Sequence, residues 1–280
     1  MQRRGLEFSV IVVDNDLAES ARPVVTEFSS ALPNATYAVE PMRGIAAVRN
    51  RLVQLSKDRS VDYIAFVDDD EWVESDWLVN LVHTAESYQA DVVKGPVLRQ
   101  FETGSPDWAG QANIFAAYRQ RTGSLSRSMA AGNLLVRMNR LLEFEGPFNV
   151  QFNLSGGEDT HLQERMRASG TKIVWCDEAV AHEYNTKDRA TIAWVVKRGY
   201  RVGAVMARST KMIHPTPSKL LSRLAKDMAH LGIGLLFLVI SPIRVTAKVV
   251  DALSQCARGV GGMAGLLGHS YEEYQEVHGQ

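Results

Sequence analysis

Up to about residue 200 the chain alternates short apolar runs with stretches of helical periodicity, and two of those runs stop abruptly in acids. FSVIVVDND, ATYAVEP, VDYIAFVDDD, ADVVKGPVL, the start of AAGNLLVRMNRL and TKIVWCDEAVAHEY read as strands. GIAAVRNRLVQLSKD, SDWLVNLVHTAESYQ and the end of GGEDTHLQERMRASG read as helices. That order predicts an α/β domain with a mostly parallel sheet flanked by helices. FETGSPDWAGQ, rich in turn formers, is a predicted mobile loop.

With 280 residues, 45% of them hydrophobic, the chain can bury one good-sized core and a small appendage. Its formal net charge of -1 gives no electrostatic case for binding nucleic acid. Cys176 and Cys256 match no metal-ligand spacing and read as small buried hydrophobes in a reducing compartment. The opening MQRRGLEFSVIVV pairs basic with apolar residues, but its apolar run ends at Asp14 without a small-residue cleavage site, so it is not a signal peptide.

Ligands of open parallel sheets gather at the carboxyl ends of strands, where both acid groups fall: Asp14 with Asp16, and Asp68 to Asp70. Along an extended backbone Asp68 and Asp70 project to one side and can grip one group together. Oxygen ligands on short stems suit a hard divalent ion such as Mg²⁺ or Mn²⁺, which completes its shell with phosphates and water. The plainer alternative is a solvated acidic turn before a helix starting near Ser75. In GGEDTHL, Glu158 and Asp159 follow a diglycine that permits positive φ, and a helix N-terminus keeps them ionised. An ionised carboxylate beside a cavity can act as a general base, although acids are also ordinary at helix starts.

An acid-ended strand, MRGIAAVRNRL, the D-x-D, AAGNLLVRMNRL, GGEDTHL and HEYNTKDRATIAWVVKRGYRVG follow one another at domain-scale spacing. This ordered set resembles the family 2 inverting glycosyltransferases of the GT-A fold, especially bacterial exopolysaccharide enzymes of the succinoglycan glucosyltransferase type. The resemblance runs from about residue 6 through GGMAGLLGHSYEEY. It implies that Asp14 and Asp16 meet the nucleotide with help from Arg43 and Arg49. Asp68 and Asp69 would lie against ribose and metal-bound water, and Asp70 would hold the Mg²⁺ or Mn²⁺. Asp159 would be the catalytic base and Glu158 would place the acceptor. His182 and Arg189 would meet the metal or the leaving diphosphate, although a satisfied structural role suits His182 equally well. The implied donor is a UDP-sugar, with glucose the expected sugar, and the acceptor a saccharide, expected to be lipid-linked. One base and in-line attack predict inversion, so an α-linked donor would give a β-linked product.

The family pattern starts with a further apolar strand, a Thr-Tyr-Asn/Arg-Arg loop and a helix, whereas only MQRRGLE precedes FSVIVVDND here. A chain lacking that unit is expected to fold poorly or to bind donor weakly. The expected division is a GT-A domain over residues 1–205 and a helical region over 206–280. In the latter, MAHLGIGLLFLVISPI carries no acid, Lys or Arg, with basic residues on both flanks. Sixteen residues at about 1.5 Å each fall short of a hydrocarbon core of about 30 Å. The expectation is a helix pair lying in the cytoplasmic leaflet of the plasma (inner) membrane, against the alternatives of packing on the domain or spanning. Two other classes also account for part of the pattern: a phosphoryl-transfer receiver or phosphatase using VVDND and FVDDDE, and a catalytically inactive, membrane-anchored partner. The first leaves GGEDTHL unexplained.

Overall fold

The computed structural model describes residues 5–32, 34–126, 128–241, 245–269 and 271. The first strand, β1 (Val10–Asp14), pairs in parallel with β2 (Ala35–Val39), and α1 (Arg22–Ala31) forms the crossover with proline in its first turn. Helix α2 (Ile45–Lys57) starts after Gly44, whose φ of 125° and contact with Asn153 leave no room for a side chain: a Cβ would come within 2.4 Å of Asn153.

Beyond α2 run β3 (Tyr63–Phe66), β4 (Glu71–Val73), α3 (Trp77–Ser87), β5 (Val92–Lys94), β6 (Val97–Phe101), β7 (Leu134–Arg137), the short α4 (Met138–Leu141), α5 (Glu158–Ala168), β8 (Ile173–Trp175) and β9 (Ala181–Asn185). The main sheet has the order β3-β7-β5-β8, and a second has the order β4-β9-β6. The expected mostly parallel sheet is corrected to a mixed one: β7 is antiparallel to both its neighbours and β9 is antiparallel to β4, while β5/β8 and β6/β9 are parallel. An apolar run such as LLVR marks a strand but not its direction. Direction is set by how the chain comes back to insert β7 between β3 and β5: among the described residues no α-helix separates β5 from β7, and a helix is the usual crossover between parallel neighbours.

Both faces of the main sheet are covered. Ala46 and Val53 of α2 with Leu162 and Met166 of α5 pack on Ile64, Phe66, Val92 and Val136, while Trp77, Leu81 and Ala85 of α3 pack on Val93, Leu135 and Val174. Leu81 is fully buried, so Leu81→Ala would cost about 2–5 kcal/mol. Asn133, fully buried at φ 53°, ties this core together: its amide donates to the Pro96 and Ala179 carbonyls and its Oδ1 accepts from the Trp77 indole.

After β9 the chain forms three long helices, α6 (Ile192–Ile213), α7 (Pro217–Ile240) and α8 (Ala247–Leu266). Glycines bring α6 and α8 to backbone contact: a Cβ at Gly203 or Gly261 would lie 2.0 Å from a carbonyl of the facing helix. Val250 of α8 joins Ala112, Phe115 and Val195 in a third apolar cluster that fastens the helices to the sheet domain.

Candidate active site

At the end of β1, Asp14 and Asp16 fold their own loop. Asp14 accepts from the Asp16 N–H (2.9 Å), the Ala21 N–H (3.1 Å) and the Tyr37 hydroxyl (2.7 Å), so both its oxygens are engaged. Asp16 accepts from the Ala18 N–H, which with Ser20 holds its carboxyl below the usual range. Between them Asn15 clamps the next loop, donating to the Glu40 and Met42 carbonyls and accepting from the Gly44 N–H. Arg43 is exposed and lines a cleft of about 380 Å³ with Asn153, Ser155 and Arg208.

The second acid group is held by long-range partners. Arg49, buried on α2, bridges Glu158 and Asp68, the latter at 3.1 Å. Burial pushes Glu158 up to about 7, outweighing Arg49, which favours its ionised form. Asp69 also lies above its usual range, through burial and then through its neighbours Asp70 and Asp68. Asp70 pairs with Arg189, which also reaches Glu183 at 3.5 Å. Asp159, in the first turn of α5, accepts from the Thr160 N–H (2.6 Å) and the Ala131 N–H (3.3 Å).

Two residues without a predicted role complete the cluster. Glu71 at the start of β4 accepts from the Asp68 N–H, and Lys94 at the end of β5 donates its buried ammonium to the Gly132 and Asn133 carbonyls. Lys94 faces Glu71, Asp68 and Asp159, yet burial holds its pKa below the usual lysine range, and burial raises that of Glu71. Gly132 is wedged among these groups: a Cβ there would lie 2.3 Å from Glu71 Oε1 and 3.1 Å from Asp68 Oδ2. The signals were present as the fourth acid of DDDE, a lysine ending an otherwise apolar strand, and the glycine of AAGN.

The structure therefore brings Arg49, Asp68, Asp69, Asp70, Glu158, Asp159 and Arg189 into one charged neighbourhood with Glu71 and Lys94. His182 is engaged elsewhere: its Nε2 lies 2.8 Å from Glu74, its Nδ1 3.5 Å from Gln100, and its ring stacks on Trp72. Among the described residues no three His, Cys, Asp or Glu side chains form a metal cage. Magnesium and manganese commonly take only one or two carboxylates and draw the rest of their shell from phosphate and water, so Asp70 with its neighbouring acids fits a jointly held ion. His182 in its present bonds does not add to that set.

Strand-end acids on an α/β body with C-terminal helices define a GT-A-like protein. The chain belongs to glycosyl transferase family 2, whose profile matches residues 2–144, about half of it. It is 32% identical over 200 residues to the succinoglycan biosynthesis protein ExoM of Rhizobium meliloti, covering 71% of this chain and 64% of that protein. It is 26% identical over 199 residues to the glycosyltransferase AglE of Haloferax volcanii, covering 70% and 62%. The chain thus spans less than two thirds of the length of these relatives. Among solved structures, residues 1–349 of S. aureus TarS in complex with UDP-GlcNAc share 13% identity at a TM-score of 0.48, over 92% of this chain and 83% of that one.

Proposed function

We propose that this protein is a metal-dependent inverting glycosyltransferase that moves a sugar, glucose in the first instance, from a UDP-sugar to a lipid-linked saccharide in surface polysaccharide synthesis. The observation that supports this most is the meeting of the Asp68–Asp70 loop with the first turn of α5, where acids and three cations, Arg49, Lys94 and Arg189, lie together. Both sides of a transfer reaction need that pairing.

Displacement at an anomeric carbon builds charge on the leaving diphosphate, and preorganised cations stabilise it. Asp70 would hold Mg²⁺ or Mn²⁺ together with the diphosphate oxygens, and the bound ion supplies neutralisation of the leaving charge. Arg189, now on Asp70, exchanges that carboxylate for a phosphate oxygen. Asp159 takes the proton of the attacking hydroxyl, its orientation fixed by the Ala131 and Thr160 N–H groups. Glu158 lies buried behind it on Arg49 and sets the position of that guanidinium. In this reading Asp14 shapes the nucleotide loop while Asp16 and Arg43 reach the nucleotide.

The test is release of UDP from UDP-glucose with Mn²⁺ and a lipid extract as acceptor source, comparing wild type with Asp159→Asn. Turnover in the wild type that falls at least about a hundredfold in the variant, with UDP binding kept, supports the reading. Equal turnover in both removes Asp159 as the base.

A further inference from the structure

Helix α7 is built inside out. The residues it turns onto α8 include Arg223 and Asp227, an ion pair buried against Gly259 and Gly262, with Asp227 fully hidden. Its outward residues include Leu221, Met228, Ile233, Leu236, Phe237 and Ile240, each between 46% and 66% exposed. At about 3.6 residues per turn, these six spread over roughly half the helix circumference. A surface helix in water has the reverse arrangement, with its apolar stripe inward and charges outward.

Positive charge predominates on the three helices α6, α7 and α8. Between residues 192 and 266 the sequence holds eleven Lys and Arg against two Asp and no Glu. Both aspartates are occupied: Asp227 by Arg223, and Asp251 by the Asn113 and Ile114 backbone N–H groups. The exposed charges on α7 itself are Lys219 and Lys226, which lie along one border of the apolar face. A groove on a protein partner accepts one narrow stripe of a helix, whereas the headgroup and acyl boundary wets half a circumference and attracts lysine through anionic lipids. Among the described residues no helix is long and apolar enough to cross a membrane.

We propose that the outer face of α7 seats the protein on an anionic bilayer surface, with the helix lying in the plane of the headgroup and acyl boundary. The seat rests on the helices alone and is independent of the donor-site reading. For an enzyme with a lipid-linked acceptor, it confines the search for that acceptor to two dimensions.

The experiment is co-sedimentation of the full chain with phosphatidylcholine vesicles, with and without phosphatidylglycerol, at low and high salt. Wild type should bind the phosphatidylglycerol vesicles and weaken as salt rises. The double variant Leu236→Glu, Phe237→Glu should lose about tenfold or more of the partitioning. Lys219→Glu with Lys226→Glu should remove the salt-sensitive part, and Val24→Glu, on the exposed face of α1, should change nothing. Phe237→Trp, whose added indole emission should shift to the blue on anionic vesicles, gives a readout that does not depend on the charged variants folding. Failure of wild type to bind, equal binding by the double variant, or an unshifted emission from the Phe237→Trp variant overturns the proposal. So does a solution dimer that the double variant dissociates while wild type ignores vesicles, since the face would then join two copies.

Discussion

Asp14–Asn15–Asp16 and Asp68–Asp69–Asp70 look alike in sequence, each an acidic group closing an apolar strand, but they are satisfied in opposite ways. The first group spends its oxygens on nearby N–H groups and on Tyr37 of the adjoining strand, so it fixes a loop. The second leans on guanidiniums from other elements, Arg49 of α2 for Asp68 and Arg189, 119 positions on, for Asp70, and is backed by a buried lysine. Hydrogen bonds to a carboxylate's own loop hold shape whether or not a ligand is present. Ion pairs with cationic side chains can be exchanged for a phosphate or a metal ion, which makes the second group the better candidate for chemistry.

The largest effect that would sharpen this contrast is Arg49→Met. It leaves Glu158 buried without its cation, and breaking such a pair costs about 3–5 kcal/mol while the carboxylate is charged, measurable as a lowered urea midpoint above about pH 7 and a smaller loss below it, where Glu158 is protonated. Asp70→Ala should next reduce Mn²⁺-dependent UDP affinity by on the order of a hundredfold while lowering stability little, because a partly exposed ion pair is worth at most about 1 kcal/mol. Asp14→Ala should show the opposite balance, losing roughly 2–3 kcal/mol of stability as three hydrogen bonds go. If Asp14→Ala left the urea midpoint unchanged, the first loop would not be the structural member of the pair.

A smaller effect concerns pH. Glu158 has a folded pKa of about 7, above the ordinary 4.5, so the folded state binds the extra proton between those values. Its contribution is full below about pH 4.5 and is lost as pH rises through about 7. Glu158→Gln should flatten that part of the stability profile, and an unchanged slope would show that the carboxyl does not titrate there. Smallest of all, Asp16→Ala should lower the melting temperature only slightly, through the lost bond from the Ala18 N–H, and weaken UDP binding only modestly.

Strand ends were the legible part of this fold, because an apolar run that halts at acids is a local signal. Helices α2, α3 and α5 were equally readable from their apolar spacing. The β4 strand was hidden since EWV follows three acids and reads as a turn until β9 pairs with it. ADVVKGPVL divides into β5 and β6 at Gly95–Pro96, and TKIVWCDEAVAHEY into β8 and β9, with the breaks falling where the chain leaves one sheet for the other. Of the site, the acids were visible, but Arg49 meeting Glu158 across 109 positions, or Lys94 facing Glu71, follows from tertiary packing that no local pattern encodes. His182 shows the converse: its place in a motif was clear, and its bonds to Glu74 and Trp72 were not.

The central claim, that the Asp68–Asp70 group is the donor site, is tested most directly by calorimetric titration of the chain with UDP in the presence of Mn²⁺, beside Asp70→Ala. Metal-dependent binding is expected in the wild type, weakened by on the order of a hundredfold in the variant. Binding of equal strength in both, or binding indifferent to Mn²⁺, would contradict it.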